Sequence, residues 1–337
     1  MNVRRSMLVT GATGVVGWEL VQQARAAGWD VVGCSARGSD TSTAWRMGKE
    51  PPPTGLDRQW QVIVHAAARP RWNLPQDEAV SGNLAPVAAL APLVGRGTHV
   101  IHISTAYSIG LRGDTRSDSL HDYRNTYEWS KAAAEREARE RYSASIVRPP
   151  LILGRRSDGV VRRRSGLYSL LQASVTGALP VLVGEPDAGF EAVTTCDVAK
   201  CVLAIADGGP AARPVVLGRA EHAAPAGEIW DLAFASLNEW RVERGAGELE
   251  APTFITPDQW NRFYFPFARP HLSDLQLHTI DLLSEFIPYL SRVDPIGVNW
   301  YVDPIEAALP AIVRSWAERL PGLAMRSPQP WTVKEQV

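Results

Sequence analysis

The stretch that most constrains this chain runs from Met7 to Gly17. Met7-Leu8-Val9-Thr10 reads as a short buried strand, and Gly11-Ala12-Thr13-Gly14-Val15-Val16-Gly17 follows it. A helix pattern then continues through Ala27. A glycine-rich turn between a strand and a helix aims backbone N–H groups and the helix N-terminus at a pyrophosphate. The candidate contacts are Gly11, Thr13, Gly14, Val15, Val16 and Gly17. The spacing is GxxGxxG rather than GxGxxG, and the plain alternative is a turn whose glycines only permit tight packing.

Asp30 to Cys34 supplies the second strand of a βαβ-type unit. An acidic residue at its end would hold a ribose 2′-hydroxyl. Here the chain has Ser35, with Arg37 two positions on. A serine and a guanidinium suit a 2′-phosphate. The expected cofactor is therefore NADP(H), while Asp40 keeps NAD open.

Residues 38–59, with Pro51-Pro52-Pro53, read as irregular, with a short strand and a loop. Val62-Ile63-Val64 is the next strand and runs into His65-Ala66-Ala67-Ala68. The three alanines let a flat cofactor approach the backbone, and His65 reads as a structural imidazole at a strand end. Asn83 to Gly95 has a helix pattern that Pro92 should bend. His99 to Ser104 is a strand that delivers Thr105 to its carboxyl end, where ligands bind in doubly wound sheets.

Tyr127 and Lys131 open a strongly helix-forming run that reaches about Tyr142. Positions i and i+4 share a helix face, so phenol and ammonium can point into one site. A neighbouring ammonium is expected to lower the phenol pKa and make it a usable acid and base. YxxxK alone is a weak signal; it gains weight from the elements before it. Ser145 to Arg148 is the following strand, ended by Pro149-Pro150.

The 337 residues are 45% hydrophobic and 21% charged, an ordinary globular composition with room for one or two domains. A net charge of -1 calls for neither nucleic acid nor a membrane surface as partner. Cys34, Cys196 and Cys201 form no CxxC pair, which reads as reduced thiols in a cytoplasmic protein. Arg4-Arg5 before Met7-Leu8-Val9 imitates a signal peptide, but the glycines that follow favour a buried strand. The longest apolar run, Leu84 to Gly95, is too short to span a bilayer and contains two prolines. No metal site is expected.

In this order, Thr10-Gly11 to Gly17, the turn at His65, Ser104-Thr105-Ala106-Tyr107, Tyr127-Glu128-Trp129-Ser130-Lys131 and Arg148-Pro149 together resemble an extended short-chain dehydrogenase/reductase over roughly residues 6–207. Ile146 to Gly154 and Gly166-Leu167-Tyr168-Ser169-Leu170-Leu171 are similar to the thioester-reductase and fatty acyl-CoA reductase branch. The resemblance implies an α/β fold, a doubly wound parallel Rossmann sheet with a smaller, mostly helical C-terminal substrate domain. It implies Tyr127 as proton donor or acceptor, Lys131 on the nicotinamide ribose, and Thr105 on the reacting carbonyl oxygen. Asn83 falls where the superfamily often has an asparagine that supports a bound water. Ala66, Ala67, Ala68 and Pro149 would line the cofactor. The segment before His65 is shorter than usual and lacks the Gly-Asp pair that often touches adenine.

After Gly154 come Arg155, Arg156, Arg162, Arg163 and Arg164, either a solvated basic loop or an anion site. Gly189 to Thr195 reads as a strand, and Asp197 as the N-cap of a helix from Val198 to Ala206. Pro214 to Leu217 is a strand, Gly227 to Arg244 a helix, and residues 245–260 a loop. Phe263-Tyr264-Phe265-Pro266-Phe267 reads as the core of a small domain, or alternatively as a pocket wall or lid. Leu275 to Leu290 and Ile305 to Leu320 look helical, and an extended arm is expected after Pro321. The domain reading is 1–150 with about 189–220 for NADP, 151–188 with 221–330 for substrate, and 331–337 as a tail.

The leading expectation is an NADPH-dependent reductase of a carbonyl or an acyl thioester, the latter passing through a hemithioacetal to an aldehyde. The substrate is then a small molecule or an acyl group carried by CoA or a carrier protein, and the enzyme a monomer or homodimer. The alternatives are a nucleotide-sugar epimerase, dehydratase or reductase with tightly held NAD, and a non-catalytic NADP-sensing protein on the same fold.

Overall fold

The computed structural model describes residues 5–164, 166–178 and 181–328. It separates into two compact units. The first runs through Ile152 and takes back Thr195–Gly218 and Val298–Val302. The second holds Leu153–Thr194, Arg219–Gly297 and the chain from Asp303 onward.

The first unit is built on eight strands: β1 (Ser6–Thr10), β2 (Asp30–Ser35), β3 (Thr43–Ala44), β4 (Val62–His65), β5 (His99–Ile103), β6 (Ser145–Arg148), β7 (Val215–Gly218) and β8 (Trp300–Tyr301). Their spatial order is β3-β2-β1-β4-β5-β6-β7-β8, with every pairing parallel. This is a doubly wound Rossmann sheet whose direction of winding reverses between β1 and β4, the place where such sheets bind ligands. β1 and β4 read as continuous apolar runs because helices cover both faces of a parallel sheet. Met7, Leu8, Val9, Ile63 and Val64 are fully buried.

Three helices matter for the site: α1 (Val15–Ala26), α2 (Thr126–Tyr142) and α3 (Thr195–Gly208). Asn125 caps α2, its side-chain oxygen accepting from the Glu128 N–H at 3.0 Å. The cap fixes the first turn and so the direction in which Tyr127 leaves the helix. Ser143, left-handed at φ 49°, closes the other end. α3 starts at Thr195, so Asp197 lies in the first turn and is not the cap expected from sequence. Asp197 there still complements the helix dipole.

The helix expected from Asn83 to Gly95 begins earlier and breaks sooner. Gln76–Ala79 is α-helical, Val80–Leu84 widens into a π turn, and Ala85–Ala88 resumes. Pro86 has no N–H to give the Gly82 carbonyl, and its ring would crowd that oxygen; the wider turn relieves both. The same device recurs at Trp260–Tyr264, two residues before Pro266.

The second unit is mostly helical. Helix Ala226–Val242 buries Ile229, Trp230, Ala233, Leu237 and Trp240, and packs on Leu309–Arg319. Its Arg241 is buried and donates to the carbonyls of Gly247 and Arg326 at 2.9 Å each, and also to that of Ala324. Three sequence readings change here. Residues 245–260 contain a strand, Thr253–Ile255, paired parallel with Val181–Val183. The aromatic run is not core: Phe263 is 61% exposed and Phe267 76%, while Trp260 is buried and stacks on Tyr264 and Phe265. Pro321–Ala324 is a helical turn rather than an arm, and the tail 331–337 lies outside the described residues.

The chain returns to the Rossmann unit as Thr195–Gly218, which holds α3 and β7, and again as Val298–Val302, which holds β8. Among the described residues no helix is long and apolar enough to cross a membrane. Cys34, Cys196 and Cys201 are not joined in disulfides.

Candidate active site and cofactor cradle

The glycine loop is defined by how little room its Cα atoms have. Gly11 sits at φ +68°, and a Cβ there would lie 2.7 Å from the Ala66 carbonyl oxygen. A Cβ on Gly17 would lie 2.3 Å from the Gly11 carbonyl oxygen. The loop therefore folds down onto the start of α1 and onto the turn after β4. Gly14 precedes α1 in an extended conformation and offers no side-chain cap. The first-turn N–H groups of α1, those of Val15, Val16 and Gly17, face a cradle with positive helix-dipole character. This fits a pyrophosphate.

Ser35 is buried at the end of β2, its hydroxyl 3.1 Å from that of Ser42. Arg37 is exposed and makes no ion pair or hydrogen bond among the described residues. Ser35 is thus tied into its own loop, while Arg37 is free to meet a phosphate. Ala66, Ala67 and Ala68 are half-buried in the turn after β4, and the Ala67 N–H reaches Thr10 Oγ1 at 3.3 Å. Pro149 is buried, its carbonyl accepting from the Ala106 N–H at 2.8 Å. That bond ties the turn after β6 to the turn carrying Thr105.

Thr105 is buried just beyond β5. Its Oγ1 accepts a long bond from the Tyr107 N–H, 3.4 Å, which leaves the hydroxyl proton available to donate. Ser104 beside it is buried with its hydroxyl unpartnered. Lys131 Nζ donates to the Ile103 carbonyl at 2.7 Å, two residues before Thr105. This bond brings the Lys131 side chain of α2 to the carboxyl end of β5. Burial lowers the Lys131 ammonium to about 8, against the opposing pull of Glu135 one turn further along α2.

The expected lowering of the Tyr127 phenol does not occur here. Burial, with the Glu128 carboxylate beside it, pushes the phenol up to about 12. At neutral pH Tyr127 is a protonated phenol.

Asn83 sits in the π turn, buried, and its side chain is fully engaged. Its Oδ1 accepts from the Arg69 N–H at 2.7 Å, and its Nδ2 donates to Ser130 Oγ at 2.8 Å. It clamps the turn after β4 to α2. The side chain the spacing would give to a water is held by protein groups instead.

Two features lay outside the sequence reading. Glu135, one turn beyond Lys131, is buried and pairs with Arg148 of β6 through two bonds, 2.9 Å from Nε and 2.6 Å from Nη2. Glu135 Oε1 also accepts from Ser108 Oγ at 2.6 Å. His102 of β5 is buried and stacks on His65 with ring centroids 5.3 Å apart. Its Nε2 is 3.5 Å from Lys131 Nζ. A histidine inside an otherwise apolar strand was the available signal. In the second unit, Arg155 pairs with Asp158, and Arg156 donates to the carbonyls of Asp303 and Pro304. Those two arginines are structural, which leaves Arg163 and Arg164 exposed.

The fold is of the NAD(P)-binding Rossmann type found in oxidoreductases. Residues 54–202 match the family model described as male sterility protein. The chain is similar to that family over this stretch, which is under half of its length. In sequence it is 31% identical over 158 residues to the methionine adenosyltransferase 2 subunit beta of Danio rerio, covering 44% of this chain and 49% of that protein. It thus spans about half the length of the curated relatives it matches. In fold it is similar to the terminal R domain of the myxalamid PKS-NRPS pathway, with a TM-score of 0.66, 18% identity and 98% and 94% of the two chains covered. A thiolation-reductase di-domain from an archaeal non-ribosomal peptide synthetase gives a TM-score of 0.63 at 16% identity over 95% and 76%. The UDP-glucuronic acid 4-epimerase of Bacillus cereus with NAD gives 0.59 at 16% over 93% and 99%.

Proposed function

We propose that this protein is an NADPH-dependent reductase of a carbonyl or acyl thioester, with Tyr127 as the proton donor. The observation that supports the reading is the Lys131–Ile103 bond, which sets Lys131, on the helix that carries Tyr127, at the end of β5 two residues before Thr105. Gly11, Gly14, Gly17 and the start of α1 hold the pyrophosphate, and Arg37 meets the 2′-phosphate. Lys131 reaches the nicotinamide ribose, and Pro149 and Ala66–Ala68 line the cofactor's path. When bound, NADPH supplies the hydride. Thr105 donates its hydroxyl proton in a hydrogen bond to the substrate oxygen and stabilises charge as it develops there. Tyr127, a phenol protonated through neutral pH, passes its proton to that oxygen. A donor in this state suits the reductive direction.

The R-domain and thiolation-reductase likenesses support an acyl group presented on a carrier or CoA thioester. The substrate-binding role falls to the second unit. The test is NADPH oxidation against a panel of acyl-CoA thioesters, the corresponding aldehydes and nucleotide sugars; absence of turnover across the first two classes contradicts the reading. A second reading, a nucleotide-sugar enzyme with retained NAD, is favoured by the epimerase likeness. Abundant NAD released from the denatured purified protein would decide for it. Cofactor binding with no turnover on the whole panel would point to a non-catalytic role, which the subunit name of the curated relatives suits.

A further inference from the structure

Thr10, His65 and His102 are register neighbours across three adjacent strands, β1, β4 and β5. Their side chains form a continuous row that ends on Lys131. Thr10 Oγ1 lies 2.9 Å from His65 Nδ1, the two imidazoles stack at an interplanar angle of 23°, and His102 Nε2 faces Lys131 Nζ. All four side chains are buried, at 2% exposure or less. His65 Nε2 and His102 Nδ1 have no protein partner. None of these bonds is needed to make a Rossmann sheet, where such strand positions are ordinarily apolar.

We propose that His102 is a positioning residue for Lys131: its Nε2 accepts from the ammonium and, with the Ile103 carbonyl, fixes that ammonium beneath the cofactor cradle. The stack on His65, itself anchored by Thr10, holds the imidazole ring in place. The proposal rests on the reading of Lys131 as the ribose-holding residue.

The chemistry asks for such a device. A buried ammonium with one carbonyl acceptor is poorly solvated and sheds its proton easily. Among the described residues, the charges that act on or feel Lys131 are Glu135 on α2, His102 on β5 and His65 behind it on β4; Tyr127 precedes it by four residues on the same helix, and Arg148 on β6 is paired with Glu135. Both imidazoles are driven neutral, His65 to about 3 and His102 well below its ordinary range, by burial and by the Lys131 charge. A neutral His102 whose Nδ1 carries the proton presents Nε2 as an acceptor, so it stabilises the charged lysine without repelling it. That tautomer is the one the ammonium requires.

The test uses the full chain and two polar substitutions. Glutamine carries its terminal amide at about the depth of imidazole Nε2, whereas asparagine reaches only the depth of Nδ1. The sequence has four lysines, Lys49, Lys131, Lys200 and Lys334, so carbon-13 labelling of lysine gives a spectrum in which Lys131 can be titrated directly. The expected midpoint of Lys131 is near pH 8 in the wild type, is retained in His102→Gln, and falls by about one pH unit in His102→Asn. NADPH affinity, read by fluorescence at pH 8, is expected to weaken about five-fold or more in His102→Asn only. Equal Lys131 midpoints in the wild type and His102→Asn, or equal losses in both variants, would overturn the positioning role. If the midpoint shifts as described while wild-type protein binds no NADPH, the positioning holds and the cofactor reading fails. If NADPH binds and the midpoint does not move, the cofactor reading holds and the positioning fails.

Discussion

Glu135 and Arg148 form a two-bond ion pair between α2 and β6, and the same carboxylate accepts from Ser108 in the turn beyond Thr105. One buried acid therefore locks the Tyr127–Lys131 helix, the Thr105 turn and the strand before Pro149 into one frame. Glu135 also supports the Lys131 charge. Removing one partner of such a pair leaves the other charge buried and alone, at a cost of about 3–5 kcal/mol. Arg148→Ala is expected to lose that much stability in urea denaturation. A loss within about 0.5 kcal/mol would show that the frame does not depend on the pair.

The glycine loop can be tested by comparing two positions. At Gly17 the obstacle is backbone, the Gly11 carbonyl oxygen 2.3 Å from an added Cβ; at Gly28 there is nothing within 4 Å, and only its φ of +82° is strained. Gly28→Ala should cost about 1–2 kcal/mol and keep NADPH binding. Gly17→Ala should shift the loop, cost more, and abolish binding in isothermal titration. Retained binding in Gly17→Ala would remove this loop from the cofactor site.

Arg37 is free at the end of β2. Its charge is expected to serve only the 2′-phosphate. Arg37→Ala should weaken NADPH by about ten-fold or more and leave NADH nearly unchanged, because a lost charge-assisted bond is worth about 1.5–3 kcal/mol. Equal losses for both cofactors would contradict the preference for NADP.

The buried imidazoles set the acid limit of stability. Both have folded pKa values below the unfolded value of about 6.5, so between pH 6.5 and about 3 the unfolded chain binds more protons than the native one. Their contribution is full above pH 6.5 and is lost as pH falls through that window. The Tm should therefore drop on acidification from pH 6.5 to 4, and less steeply in His65→Gln. An unchanged slope in the variant would place the acid sensitivity elsewhere.

The parts legible in the sequence are those written in local spacing. The glycine turn, the four-residue step from Tyr127 to Lys131 and the strand ends at Thr105 and Arg148 each carry their meaning within one element. The His102–Lys131 contact does not, because it depends on the register of β4 against β5 and on how α2 lies over them. Asn83 shows the same limit from the other side: its position matched a pattern, but Pro86 opened a π turn and gave its amide to Arg69 and Ser130. At Phe263 and Phe267 hydrophobicity suggested core, yet both are exposed, and Trp260 is the aromatic residue of that segment that is buried.

Whether Tyr127 is the proton donor is tested most directly by Tyr127→Phe, which keeps the ring and removes only the proton. With NADPH in excess over an acyl-CoA thioester or aldehyde that the wild type reduces, NADPH oxidation should fall by about 10²-fold or more while NADPH affinity stays within about two-fold. Oxidation at the wild-type rate in Tyr127→Phe would contradict the mechanism.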